Sequence, residues 1–312
     1  MSLIEGNEKS RLLNSPFLNV IVFSVFWAIQ IFVSKLGFIE GAKVIPFTVQ
    51  SAIVSIVILT LYALPKSIKE LKSLPRKILL GILLANAIHF GLGGFLSNAG
   101  VALTTAINAG FLVQFSTVTT SLLAWIFLRE KVTLPRVAMV LLIMFGSFYL
   151  TTGGKLIIPH TGDLLILLGC LSWSTANVII RKVLKNNPVS GDVVSFLRPL
   201  AGLPLLLCFI LLSPFYPAPV RQIFSYSLFN IVSPLFVVLN GTFTALVWIF
   251  LNRTLKVATA SYMTIMSSLT PVLVAIMAVV LLRETVDATK ILGILLIIAA
   301  TTITQLIKVD RS

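Results

Sequence analysis

The stretch Ala106–Glu130, AINAGFLVQFSTVTTSLLAWIFLRE, opens small and polar, turns strongly apolar, and stops on Leu128, Arg129 and Glu130. Moved forward by 154 positions it meets a second copy, Ala260–Glu284, ASYMTIMSSLTPVLVAIMAVVLLRE, with the same Leu-Arg-Glu ending. The same offset pairs Thr105 with Thr259, Asn98 with Asn252 and Asn86 with Asn240. An apolar run and its lead-in written twice imply a chain built from two copies of one unit.

The setting of that unit follows from composition. Hydrophobic residues make up 57% of the 312 and charged residues only 11%, where a soluble domain carries about a quarter charged residues. Mean hydropathy is +1.04. Apolar runs of about 20 residues, separated by short charged loops, are long enough to cross a bilayer. Hydrocarbon tolerates only α-helices or closed barrels, and continuous runs rather than alternating ten-residue segments select helices.

Ten runs are expected, near 17–36, 46–64, 78–98, 107–128, 134–151, 163–184, 193–212, 227–251, 258–282 and 289–307. The third is the least regular, because Gly91, Gly93 and Gly94 interrupt it. Ten spans put both termini on one side. That side holds Lys9, Arg11, Lys66, Lys69, Lys72, Arg76, Lys77, Arg129, Lys131, Arg136, Arg181, Lys182, Lys185, Arg253, Lys256, Lys308 and Arg311. The other holds Lys35, Lys43, Lys155, Arg221, Arg283 and Lys290. The positive-inside bias makes the richer side, with both termini, cytoplasmic, in the cell (plasma or inner) membrane. It also explains the net charge of +14 without nucleic acid, because the basic residues are spread over short loops. Cys170 and Cys208 both sit inside apolar runs, with neither a pairing pattern nor metal-ligand spacing.

The expected organisation is a cytoplasmic segment 1–16, a five-helix repeat 17–151, an extracytoplasmic linker 152–162, a second five-helix repeat 163–307 and a cytoplasmic tail 308–312. Five is odd, so the second repeat enters from the opposite face. Other matches cross the halves at slightly different offsets: Trp27 with Trp173, Lys35 with Arg181, Gln50 with Arg198. The fold class is thus an all-α polytopic membrane protein, ten transmembrane helices in two inverted repeats around a central cavity, a plan of secondary transporters.

Polar residues inside spans carry the functional signal, because leaving them unpaired in hydrocarbon is costly. Candidate substrate-binding residues are Trp27, Gln30, Asn86, His89, Asn108, Gln114, Trp173, Asn177, Arg198, Asn240 and Tyr262. Two roles stand open for the repeat-related Asn86 and Asn240, substrate contact or hydrogen bonds between helices. Arg198 either meets a carboxylate or phosphate on a substrate or reaches back to the interface. His89 is the one histidine in a span, and every acidic residue falls in a loop, a tail or at a helix end. If protons drive this protein, His89 is the group to carry them. Trp27 and Trp173 lie deep in their runs and are candidates for a cavity wall, whereas Trp248 reads as an interface anchor. Pro234 and Pro271 are candidate bending points. The fifth and tenth runs are almost purely aliphatic and are expected to face lipid. No G-x-S-x-G, H-E-x-x-H, P-loop or cysteine–histidine cluster occurs, so neither an enzyme nor a cofactor is called for.

Ten spans, a five-plus-five inverted repeat, the early tryptophan of the first span, the Leu-Arg-Glu endings and the segment Ser97, Asn98, Ala99, Ala102, Leu103, Thr104, Thr105, Ala106, Ala109 together resemble the EamA-like drug/metabolite transporter superfamily. The resemblance covers about 17–307. It implies a cavity among helices 1–4 and 6–9 with the last helix of each half peripheral, and export of amino acids or other small metabolites. Ala28 and Ser174, each following a tryptophan, depart from the family's frequent glycine. The expected function is a secondary transporter, an exporter of a small metabolite by alternating access, acting on a small-molecule substrate in the bilayer as a monomer or homodimer. The alternatives are a membrane enzyme or lipid-handling protein using the same cavity, or a structural membrane subunit.

Overall fold

The structure, a computed structural model, describes residues 15–42, 44–104, 111–156, 158, 160–218, 221, 234–283 and 287–307. Among these it is all-helical. α1 is Pro16–Ile39 and α2 is Val44–Ser73. α3 runs through Arg76–Asn86, a π-helical segment Ala87–Leu92 and Gly93–Ala102. α4 is Phe115–Leu128, α5 Leu134–Thr152, α6 Thr161–Asn186, α7 Gly191–Leu211 and α8 Pro234–Val257. α9 is in two pieces, Ala260–Ser267 and Leu269–Leu282, and α10 is Ala288–Leu306. Among the described residues, nine helices are long and apolar enough to cross a membrane, and Phe115–Leu128 is a shorter apolar helix.

The helix ends are written in the sequence. Ser190, Thr259 and Asp287 each accept a hydrogen bond from the backbone N–H three residues on, at 3.3, 3.1 and 2.8 Å, satisfying donors that a helix start leaves free. The Leu-Arg-Glu motif is a stop. Arg129 and Arg283 take left-handed conformations and return their N–H groups to the carbonyls of Ala124 and Ala278. Both copies are also broken at matching positions: Gln114 precedes α4 and Ser268 precedes the second piece of α9, and each following helix has 14 residues. At 1.5 Å per residue that is roughly 21 Å, short of a ~30 Å hydrocarbon core. The expected fourth span is therefore interrupted at Gln114, and its start lies outside the described residues.

Two further expectations are corrected, and two prolines are placed. Glycines do not break the third span; the chain passes through them as one continuous helix with a π segment. Residues 65–73, expected as loop, prolong α2 beyond Pro65, carrying charged side chains out of the apolar zone. Pro234 is the first described residue of α8, so the bend expected there lies at the edge of the described residues; Pro271 follows a break in α9 at Ser268 and lies in the first turn after it, where a missing N–H costs least.

Packing crosses between the halves. α1 lies on α8 and α3 on α6; α2 lies on α8 and α3 on α7; α4 lies on α6 and α9 on α1. α2 meets α7, α4 meets α9 and α5 meets α10. Small residues let backbones approach. A Cβ at Gly146 would come within 2.9 Å of the Gly293 carbonyl, and one at Gly293 within 2.5 Å of the Gly146 carbonyl. On α3, a Cβ at Gly91 would come within 2.9 Å of the Gly202 carbonyl of α7. α5 and α10 turn Leu141, Phe145, Leu292 and Leu295 outward, an apolar surface suited to lipid.

One end of the bundle is laced by polar contacts. Arg253 on α8 makes a two-pronged bond to Asp192 at the start of α7, at 3.1 and 3.2 Å, and donates to the Tyr62 hydroxyl of α2 at 2.6 Å. Ser190 donates its N–H and, at 2.8 Å, its hydroxyl to Glu70. Arg181 of α6 donates to the carbonyls of Leu255 and Lys256 at 2.9 Å, while Lys256 of α8 donates to those of Leu184 and Asn187 at 2.6 and 2.9 Å. Each helix thus supplies the cation that satisfies the other's C-terminal carbonyls. Glu130 accepts from the Ala260 and Ser261 N–H groups at 3.0 and 3.4 Å, so the charged stop of α4 caps α9.

Candidate functional site

Between the halves lies a cavity of about 370 Å³, within the range of small-molecule sites. α1 contributes Phe23, Trp27 and Gln30; α2 contributes Thr48. His89 and Phe90 come from the π segment of α3, and Gly94, Ser97 and Asn98 from the turns beyond it. α4 presents Ser116 and Thr120; α6 presents Trp173, Ser174 and Asn177. Leu206 of α7, Val247, Trp248 and Leu251 of α8, and Met263, Thr264 and Ser267 of α9 complete the wall. The lining draws on helices 1–4 and 6–9; no α5 or α10 residue is in it.

Among the described residues the wall contains no Asp, Glu, Lys or Arg, and His89 is its one titratable side chain. Three indoles set its shape. Trp173 packs closely against α3 because residue 93 is glycine: a Cβ there would come within 2.5 Å of the indole Cδ1. His89 stands edge-on to Trp248, ring centroids 5.3 Å apart, and 6.2 Å from Trp173. The widened π turn carries His89 into this aromatic cleft, and such turns recur at functional sites. Behind Trp248 lies Arg198, completely buried, its guanidinium carbon 4.7 Å from the ring centroid. Its Nη2 donates to Asn252 Oδ1 at 3.1 Å. Asn252 in turn donates to Ser195 Oγ at 2.9 Å and to the Trp248 carbonyl at 3.0 Å.

The EamA-like transporter family matches this chain twice, over residues 14–152 and 160–306. The chain belongs to the EamA-like transporter family. A crystal structure described only as that of a protein shares the fold, with a TM-score of 0.72 and 19% identity over 94% of this chain and 97% of its own. No curated protein matches the chain in sequence.

In this EamA-like chain the structure sorts the residues singled out from sequence into two groups. Trp27, Gln30, His89, Trp173 and Asn177 share the cavity wall. Gln30 Nε2 also donates to Thr244 Oγ1 at 3.0 Å, and Asn177 Oδ1 is buried without a partner. Asn86 lies outside the wall, fully buried, and donates to the Val194 carbonyl at 3.3 Å. Asn240 bonds the Gln30 carbonyl at 3.3 Å and the Ser34 hydroxyl. This pair ties α3 to α7 and α8 to α1, so interhelical bonding is what the geometry shows. Tyr262 points at α10, donating to Gln305 Oε1 at 2.9 Å. Gln114 sits at the break before α4, away from the wall. Asn108 lies outside the described residues. Arg198 does not reach an interface, since it is 0% exposed.

Trp248 is the main correction. It lines the cavity instead of anchoring at an interface, and its repeat position opposite Gly94, also in the wall, was the available signal. Ser174, in place of the family's frequent glycine, is accommodated: it accepts from Thr120 Oγ1 at 2.8 Å and donates to the Ser116 carbonyl at 3.2 Å, fastening α6 to α4.

Proposed function

We propose that this EamA-like protein is a secondary transporter that exports a small metabolite, with amino acids among the candidate substrates, through the central cavity by alternating access. The observation that carries the reading is the cavity wall itself. It is shared by both halves, built around the repeat-related Trp27 and Trp173, and supplied with hydroxyls and amides.

The contact pattern supports ten spans in two inverted halves. Gln30 meets Asn240 while Phe26 meets Phe250; Gly100 meets Gly162 while Gly93 meets Trp173; Gly146 meets Ile297 while Leu150 meets Gly293. In each pair one helix ascends as the other descends, as required if α1, α3 and α5 run opposite to α8, α6 and α10. The laced end, with Arg181, Arg253 and Lys256, is then the cytoplasmic end, and both termini lie there. Flux of radiolabelled metabolites from proteoliposomes of the purified chain tests the function. Movement of a saturable subset is expected; a panel moving no faster than from protein-free vesicles refutes it.

A further inference from the structure

Resting on the transport reading, we infer that the cavity takes an organic anion, its charged head held by Arg198 and its apolar body held among the three indoles. The guanidinium is fully buried, yet among the described residues no carboxylate pairs with it: it hydrogen-bonds the Asn252 amide oxygen and lies over the Trp248 ring. Its Nε and Nη1 have no partner. The Trp248 Nε1 and the His89 Nδ1, on the two side chains next in line, have none either. The distances are short, 4.7 Å from Arg198 to the Trp248 ring and 5.3 Å from there to His89.

A buried cation without an acid is strongly unfavourable unless something neutralises it. Buried donors left unmade are costly as well, yet here several converge beside one cavity. What the cluster lacks is acceptors and negative charge. A carboxylate, or any comparably small oxyanion, brings both, and a guanidinium fork matches its two oxygens. Trp248 forms the partition between Arg198 and the open cavity. A turn of its side chain uncovers the two free guanidinium nitrogens, and its own N–H then adds a donor. The opposite charge is disfavoured, because among the described residues the wall has no carboxylate to receive an ammonium.

The test uses the full-length purified chain and three probes of one shape: phenylacetate, phenylacetamide and phenethylamine, carrying one negative, no and one positive charge. Thermal protection in detergent and counterflow in proteoliposomes are read in parallel. The wild type is expected to be protected by millimolar phenylacetate and to prefer it over the amide by roughly tenfold, the scale of a charge-assisted bond. R198Q is expected to erase that preference, and R198K to restore part of it. Equal response to the amide or the amine, no protection by phenylacetate, or an undiminished preference in R198Q overturns the inference. The wild-type charge series decides the matter even if R198Q fails to fold. Anion-selective protection without flux keeps the site and leaves transport to be judged by the metabolite panel; flux without charge preference keeps transport and refutes the site.

Discussion

Arg129 and Arg283 hold the same left-handed backbone, φ 53° and 54°, at the ends of two helices of equal length. The repeated Leu-Arg-Glu is thus a conformational stop as well as a charge boundary. A non-glycine residue there costs roughly 1–2 kcal/mol, and both side chains are exposed. Arg129→Gly and Arg283→Gly are therefore expected to raise stability by about 1 kcal/mol each, and the corresponding valine variants to lower it. Thermal midpoints in detergent check the ordering.

Glu130 is a longer-range element of the same stop. Besides the two N–H groups of α9 it accepts the Ser261 hydroxyl at 2.8 Å. Negative charge at a helix start is favoured. Glu130→Ala is expected to destabilise by about 2 kcal/mol, with Glu130→Gln intermediate. Denaturation of the two variants side by side measures it.

The Tyr62–Asp192–Arg253 cluster closes the laced end across α2, α7 and α8. Asp192→Asn removes its charge-assisted bonds, and the expected consequence is a shift of roughly tenfold toward conformations open at that end. A cysteine introduced at Asn177, in a chain with Cys170 and Cys208 replaced, reads this as a faster reaction with a membrane-impermeant maleimide. An unchanged rate means that the cluster is not a gate.

The Gly146–Gly293 crossing leaves no room for side chains. Gly293→Ala is expected to cost about 1–3 kcal/mol by forcing α5 and α10 apart. Since neither helix lines the cavity, flux per folded molecule is expected to change little. Thermal midpoint and flux, measured on the same preparation, separate the two effects.

Asp287 gives a pH-dependent term. Hydrogen bonds from the Thr289 hydroxyl and the Lys290 N–H hold its carboxyl below the ordinary aspartate value of 3.8. A depressed native value means that the stabilisation is present in full above pH 3.8 and is lost as acid protonates the folded carboxyl. Asp287→Asn keeps a capping oxygen without titrating. The difference in thermal midpoint between wild type and variant is expected to shrink as the pH falls below that value.

Hydropathy carried the all-helical, multi-span class, because spans are dictated by a solvent that forbids exposed backbone polar groups. The repeat was legible in paired residues such as Asn86 and Asn240, and the peripheral place of α5 and α10 in their aliphatic composition. Within the site, sequence located depth but not direction. Asn86, Asn240 and Tyr262 sit at the right height and face neighbouring helices, where an amide or phenol finds its partner. Trp248 and Thr120 looked ordinary, because an anchoring tryptophan and a threonine bonded to its own helix share their composition. The turn that points each residue is set by crossings such as Gly91 on Gly202, which no single helix records.

The π segment bears on the proposed exchange of conformations between the two halves. Ala87–Leu92 in α3 corresponds by the 154-residue offset to residues 241–246 in α8, which are ordinary α-helix. The same number of residues is wound two ways, and only the first winding presents a histidine to the cavity. A pair of perfectly matched halves would make the inward-open and outward-open states degenerate. Under the alternating access proposed above, this difference in winding lifts the degeneracy at the cavity itself and would give the cycle a resting side.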